Sequence, residues 1–186
     1  MSIIFVATYC VWFITEVFLN RLLRSKSSDR KNADKNSLLL IWVTIVATIF
    51  IAVWISINVY SAIFRNPAMR YLGLSVIIIG ILLRLIAVVS LGKFFTVDVT
   101  IRKNHKLKKD GLYKYLRHPS YFASLISFIG FGISLNNWFS LLLITIAIST
   151  VFIIRIRIEE KLLIEQFGPE YTDYKKVTSG LIPFIY

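Results

Sequence analysis

Charged and aromatic side chains interrupt apolar sequence at two places in the second half of the chain. The first is "YLRHPSYF" (115–122), which places Arg117 and His118 directly before an apolar run. The second is "IIRIRIEE" (153–160), which closes another apolar run with four charged residues, Arg155, Arg157, Glu159 and Glu160. Ionisable side chains beside apolar segments are costly unless they are paired, and they often mark a binding or catalytic site.

The spacing within these stretches allows two interpretations. Arg155 and Glu159 are four residues apart, so on a helix they share a face and can pair. They could line a cavity at membrane depth, or they could be surface ion pairs worth about 0–1 kcal/mol where the helix emerges into water. His118 precedes Pro119, and proline suits the first turn of a helix. His118 is therefore either a site residue or an interfacial helix cap.

A third charge, Arg84, lies in the middle of the apolar stretch "IIIGILLRLIAVVS" (77–90). An arginine near a bilayer centre costs about 2.5 kcal/mol or more. It could snorkel, form a structural pair, or face an active cavity. The sequence contains no HExxH motif, a single cysteine (Cys10) and no paired histidines. It therefore predicts no metal site. "GFG" (130–132) follows no predicted strand and is more typical of close helix packing than of dinucleotide binding.

The elements that must position these residues are predicted to be membrane helices. The chain of 186 residues is 56% hydrophobic and 17% charged, with a mean hydropathy of +0.69. Its five apolar runs predict a single all-α domain (1–186) with about five transmembrane helices. These runs are 3–20, 38–60, 71–91, 120–135 and 138 to about 154. The polar turn "SLNNW" (134–138) makes the last two helices a hairpin.

The segments outside the runs carry further predictions. "FTVDVTIR" (95–102) alternates like an extended segment, and Asp110-Gly111 reads as a turn. The tail (161–176) opens as an amphipathic helix that Gly168-Pro169 stops, and we expect it to lie at the interface with its aromatic side chains at headgroup depth. The chain starts as a spanning helix rather than a signal peptide, and Cys10 is a small buried or lipid-facing residue within it.

The basic residues are concentrated between the apolar runs. There are 22 Lys and Arg against 10 Asp and Glu, and most of the cations fall in the first and third loops. This pattern predicts an outside N-terminus and a cytoplasmic C-terminus under the positive-inside rule, rather than binding to nucleic acid. Both charged stretches would then face the cytoplasm. The oligomeric state is left open.

Several motifs together identify a family resemblance. "GLYKYLRHPSYF", then an apolar hairpin, "RIRIEEKLLIEQFGPEYTDYKK" and "GLIPFI" resemble the isoprenylcysteine carboxyl methyltransferase family over residues 111–185, and "RLIAVVSLGKFFT" (84–96) is similar to it as well. The resemblance implies an S-adenosylmethionine-dependent membrane methyltransferase with its catalytic region at 92–186. It assigns cofactor binding to Gly111, Tyr113, Arg117, His118, Pro119, Tyr121 and Glu160. Its candidate catalytic residues are Arg155, Glu159 and Arg84.

The implied acceptor is the carboxylate of a prenylcysteine or a similar lipophilic molecule that enters from the bilayer. An α-carboxyl with a pKa of about 3.5 is ionised at pH 7, so the reaction needs alignment and exclusion of water rather than a general base. Arg155 or Arg84 could orient the carboxylate. Phospholipid and thiol methyltransferases share parts of the pattern, as do nicotinamide-dependent lipid double-bond reductases of the sterol type. A scaffold whose basic loops hold anionic membrane lipids is the alternative without catalysis.

Overall fold

A computed structural model describes residues 3–22, 36–66, 68, 70–92 and 107–182. The helices are α1 (Ile3–Leu22), α2 (Asn36–Asn58), α3 (Arg70–Leu91), α4 (Pro119–Ser134), α5 (Trp138–Phe167) and α6 (Pro169–Lys176), with a short 3₁₀ helix at Gly111–Lys114. Between the described residues the only β pairing is an isolated parallel bridge from Leu116 to Ser179. The predicted all-α class is confirmed, and the predicted extended segment 95–102 lies outside the described residues.

Five of these helices are apolar and coincide with the five predicted runs. Three are long and apolar enough to cross a membrane, namely Ser37–Asn58, Arg70–Leu91 and Trp138–Phe167, while Ile3–Leu19 and Pro119–Ser134 are shorter apolar helices. Large apolar side chains such as Phe50, Val89 and Ile146 are exposed on the outside of the bundle, as is the thiol-bearing residue Cys10. An apolar exterior of this kind fits a lipid environment and confirms an integral membrane protein.

Helices α3 and α4 pack with their backbones in near contact. A Cβ added at Gly73 would lie 2.4 Å from the backbone nitrogen of Ser134, and one added at Gly130 would lie 2.7 Å from the backbone nitrogen of Ile77. Only glycine leaves room for this approach, which is how small residues bring membrane helices together. The prediction that "GFG" serves helix packing is confirmed for Gly130.

The α4–α5 hairpin is also as predicted, and its turn marks one end of the bundle. The side chain of Asn137 caps α5 by accepting a hydrogen bond from the backbone N–H of Ser140 at 3.1 Å. The same side chain donates to the carbonyl oxygen of Val59 at 2.6 Å. The turn is therefore fastened to the segment that follows α2, and the two loops lie at the same end.

The start of α4 and the segment that follows α6 meet at the opposite end of the bundle. The backbone N–H of Arg117 donates to the carbonyl of Ser179 at 2.9 Å, and that of His118 donates to the carbonyl of Gly180 at 3.2 Å. Gly168, with φ of 54°, separates α5 from α6 as predicted. The tyrosines of α6 differ from the prediction, because Tyr171 and Tyr174 are buried. They pack into the protein instead of facing lipid headgroups.

Candidate active site

His118 lies between two adjacent carboxylates of α5. Its Nδ1 is 3.4 Å from Oε2 of Glu159, and its Nε2 is 3.5 Å from Oε1 of Glu160. Burial by itself would lower the pKa of His118, but the two carboxylates outweigh burial and raise that pKa above its ordinary value. The two carboxylates therefore favour the cationic imidazole, which links the start of α4 to α5.

Glu160 also joins the stretch YLRHPSYF (115–122) to the segment that contains α6. Its Oε1 accepts from Nε of Arg117 at 2.7 Å, and its Oε2 accepts from Nζ of Lys175 at 2.6 Å. Nη1 of Arg117 donates in turn to the carbonyl oxygens of Lys175, at 3.2 Å, and of Thr178. Because these charge-assisted bonds reach three segments of the chain, Arg117 and Glu160 fix the arrangement of the site.

Glu159 contacts Tyr121 and Arg155 as well as His118. The hydroxyl of Tyr121 donates to its Oε1 at 2.5 Å, and Nε of Arg155 approaches the same oxygen at 3.3 Å, one helical turn away. Nη1 of Arg155 donates to the hydroxyl of Ser37 at the start of α2. Only 1% of Arg155 is exposed, so the interpretation of this stretch as a helix end in water is wrong for Arg155, although Arg157 is exposed.

Arg84 forms a separate, partly buried pair with Glu16 of α1. Its Nη1 donates to the carbonyl and hydroxyl oxygens of Ser120, at 3.0 and 2.9 Å. Its Nε lies 2.9 Å from Oε1 of Glu16, yet no hydrogen bond of good angle joins them. We therefore treat this contact as an ion pair, because the Coulomb attraction needs only the short distance. Of the alternatives for Arg84, a structural pair is present, and it is partly buried.

The remaining predicted residues shape the segment before α4. The hydroxyl of Tyr113 donates to the carbonyl of Ala87 in α3 at 3.3 Å, and the hydroxyl of Tyr174 donates to the carbonyl of Tyr113. Burial raises the pKa of Tyr113 well above its ordinary value, so the phenol stays protonated. Pro119 is the first residue of α4, and Gly111, with φ of 60°, begins the 3₁₀ helix without contacting the charged cluster.

Two buried donors in the cluster lack hydrogen-bond partners among the described residues. They are Nε2 of His118 and the hydroxyl of Tyr171. Burial and the charge of Glu160 raise the pKa of Tyr171, which keeps its hydroxyl able to donate. Buried polar atoms normally find partners, so unpartnered donors beside paired carboxylates suit a polar ligand that carries both charged groups and hydroxyls.

The structure adds residues that the sequence analysis missed. They are Glu16, Ser37, Ser120, Tyr171, Lys175 and Thr178. A signal existed for Glu16, because it is the only acidic residue in the first four apolar runs and Arg84 is the only basic one. An isolated acid and an isolated base at membrane depth favour pairing with each other. The hydroxyl of Ser37 carried no comparable signal.

Comparison with known proteins places this site in a family. The family model of the isoprenylcysteine carboxyl methyltransferases matches residues 71–165, just over half of the chain. The chain belongs to this family. The match begins in the first turn of α3 and ends in the last turn of α5, so it includes α4 and both glutamates. Helices α1 and α2 precede it. The family assignment therefore rests on the part of the chain that carries Arg84, His118 and Arg155.

Individual relatives of the family agree. The protein-S-isoprenylcysteine O-methyltransferase B of Arabidopsis thaliana is 38% identical over 116 residues, which are 61% of this chain and 58% of that protein. The Schizosaccharomyces pombe protein-S-isoprenylcysteine O-methyltransferase is 35% identical over 131 residues, which are 69% of this chain and 53% of that protein. The chain thus spans between half and three fifths of the length of these relatives.

A solved structure is similar in fold as well. It is the structure of the eukaryotic intramembrane Ras methyltransferase, isoprenylcysteine carboxyl methyltransferase, with a TM-score of 0.60 and 32% sequence identity. The similarity covers 80% of this chain and 51% of that chain. Helices outside the matched residues 71–165 therefore share in the structural likeness.

Proposed function

We propose that the chain is an integral membrane methyltransferase that uses S-adenosylmethionine to methylate the carboxylate of a prenylcysteine or a similar lipophilic acceptor. The observation that carries the proposal is a largely buried cluster at one end of an apolar bundle. In it His118, Glu159 and Glu160 meet Arg117, which precedes α4, and Arg155 of α5. The relatives' names, which specify protein-S-isoprenylcysteine O-methylation, support the acceptor class.

The donor set fits the cofactor. S-adenosylmethionine, when bound, would supply a methyl group on a positively charged sulfur. Nε2 of His118 and the hydroxyl of Tyr171, which make no hydrogen bond among the described residues, are suited to its carboxylate or ribose oxygens. The carboxylates of Glu159 and Glu160 are suited to its amino group. Of the other predicted cofactor residues, Arg117 braces Glu160 and Tyr121 braces Glu159. Gly111, Tyr113 and Pro119 shape the segment before α4. Arg117 acts here by fixing Glu160 rather than by offering a free edge.

The acceptor carboxylate needs an orienting cation, and the two predicted arginines differ in access. The side chain of Arg84 is 12% exposed, and its Nη2 takes no part in the contacts to Glu16 and Ser120. Arg155 is almost fully enclosed, with Glu159 and Ser37 as partners. We therefore assign orientation of the carboxylate to Arg84 and the holding of Glu159 to Arg155. A planar guanidinium can do either task while staying charged.

The membrane orientation is part of the same proposal. The N-terminus lies outside, and the active site and the C-terminus face the cytoplasm, as the basic first and third loops indicate. The polar cofactor would then reach the site from the cytosol, and the lipid tail of the acceptor would reach it from the bilayer. Membrane lipids surround the exposed apolar faces of α2, α3 and α5.

A direct experiment measures methyl transfer by the purified protein in lipid nanodiscs. Labelled S-adenosylmethionine is offered with a prenylcysteine carboxylate, a phospholipid and a lipophilic thiol in separate reactions, and binding of S-adenosylmethionine and NADPH is measured by calorimetry. We expect cofactor binding and label on the prenylcysteine. Label on the phospholipid or thiol alone would change the acceptor class, binding of NADPH alone would favour a lipid reductase, and binding of neither would leave a scaffold.

A further inference from the structure

The pair formed by Glu16 and Arg84 connects α1 to the active site. Glu16 lies six residues before the end of α1 at Leu22, and Arg84 lies seven residues before the end of α3 at Leu91. At 1.5 Å per residue both groups are about 10 Å from their helix ends. They therefore meet at similar depth, beside the first turn of α4.

Contacts around the pair hold the guanidinium from two sides. Nε of Arg84 faces Oε1 of Glu16 at 2.9 Å, and Nη1 bonds both oxygens of Ser120. The hydroxyl of Ser124 donates to Oε1 of Glu16 at 3.3 Å, which fixes the carboxylate in turn. Ser120 lies between Pro119 and Tyr121 in the first turn of α4. Its two hydrogen bonds therefore hold the guanidinium of Arg84 beside the stretch that contains His118.

We propose that Glu16 is a positioning residue for methyl transfer, which it serves by fixing Arg84 so that Nη2 faces the acceptor carboxylate. The inference rests on the proposed function and adds a residue from α1, which lies before the matched region 71–165. Glu16 also neutralises the buried arginine while no acceptor is bound. Because Glu16 faces Nε and Ser120 faces Nη1, the acceptor can approach Nη2 without displacing Glu16.

An ion pair that serves stability alone would behave differently. It would predict less folded protein after substitution of Glu16, but an unchanged KM for the acceptor in the molecules that remain folded. A positioning role predicts a raised acceptor KM with unchanged affinity for S-adenosylmethionine, since Glu16 bonds neither His118 nor the α5 glutamates in the described contacts. Small misplacements of an orienting group can cost up to about 10²-fold in rate.

The test compares Glu16→Gln, Glu16→Asp and the matched control Glu165→Gln, which removes an exposed carboxylate of α5. Each variant is purified in nanodiscs and normalised by its number of S-adenosylmethionine sites, so that unfolded molecules do not count. We expect Glu16→Gln to raise the KM for a prenylcysteine carboxylate about tenfold or more, with cofactor affinity within about twofold of the unaltered protein. Glu16→Asp keeps the negative charge, so its acceptor KM should lie between those of the unaltered protein and Glu16→Gln. If Glu16→Gln does not fold, the acceptor KM of Glu16→Asp alone provides the test.

A double-substitution cycle with Arg84→Lys shows whether Glu16 acts through Arg84. We expect Glu16→Gln to add little once Arg84 is lysine, because coupled residues are not additive. An acceptor KM for both Glu16 variants equal to that of Glu165→Gln, or fully additive effects, would overturn the inference while the proposed function stands. If the unaltered protein binds S-adenosylmethionine but methylates no carboxylate acceptor, the proposed function falls, and the role of Glu16 falls with it.

Discussion

The division of labour between the two buried arginines can be tested by changing each to lysine. Arg84 contacts Glu16 and both oxygens of Ser120 and keeps Nη2 outside these contacts. A lysine ammonium is a point donor without the planar fork, so it cannot keep these partners and also reach the acceptor. A hydrogen bond to a charged group contributes about 1.5–3 kcal/mol. At about 1.4 kcal/mol per factor of ten, its loss lowers kcat/KM for the acceptor about 10- to 10²-fold.

Arg155→Lys should give a different pattern. Arg155 joins Glu159 to Ser37, and an ammonium can retain only part of that arrangement. Because Glu159 also contacts Tyr121 and His118, its displacement should weaken S-adenosylmethionine binding and turnover together. Calorimetry with the cofactor and initial rates over a range of acceptor concentrations separate the two effects. Arg157→Lys on the exposed face of α5 is the matched control and should leave both quantities unchanged.

Two results would refute the assignment. If Arg84→Lys retains the normal acceptor KM, then Arg84 does not contact the acceptor carboxylate. If Arg155→Lys raises the acceptor KM while cofactor affinity is unchanged, Arg155 is the orienting arginine and the roles are exchanged.

Three further predictions concern topology, pH and packing. Ser28→Cys should react with an impermeant thiol reagent only from the cytoplasmic side and Asn66→Cys only from outside, whereas labelling of position 28 from outside alone would reverse the orientation. The stabilisation due to the raised pKa of His118 is fully present below about pH 6.5 and is lost as pH rises through its folded-state pKa. The melting temperature in detergent should therefore fall as the pH rises above 6.5, and this dependence on pH should be weaker in His118→Asn. An equally steep dependence in the variant would contradict the role of His118. Gly80→Ala places a Cβ 2.2 Å from Oγ of Ser127 and should lower the unfolding free energy by about 1–3 kcal/mol. Ser75→Ala, on the exposed face of α3, is the control and should not lower it. Equal melting temperatures for the two variants would contradict the close packing of α3 and α4.

The sequence predicted those features that depend on local pattern. Five apolar runs gave five apolar helices, "SLNNW" gave the hairpin, and Gly168 ended α5. The pairing of Arg155 with Glu159 followed from helical spacing alone. Each of these features is decided within a few neighbouring residues, which is why a single sequence is enough to find it.

Contacts between distant helices escaped the sequence analysis. The Glu16–Arg84 pair and the Arg155–Ser37 bond depend on how α1 and α2 are rotated against α3 and α5, and hydropathy does not fix rotation. The tyrosines of α6 were misplaced for a related reason. An amphipathic pattern shows that one face is apolar, but it does not say whether lipid or protein covers that face. Here the face packs on the protein.

The close contact between α3 and α4 has a mechanical consequence. With backbones touching at Gly73, Gly80 and Gly130, the two helices cannot slide or part without breaking the tightest contact in the bundle, so they should move as one stiff unit. The helix α1 is attached to that unit by a few polar and aromatic contacts, among them the hydrogen bond between Tyr9 and Ser134 at 2.7 Å. A shift of α1 would therefore disturb fewer close backbone contacts than a separation of α3 from α4.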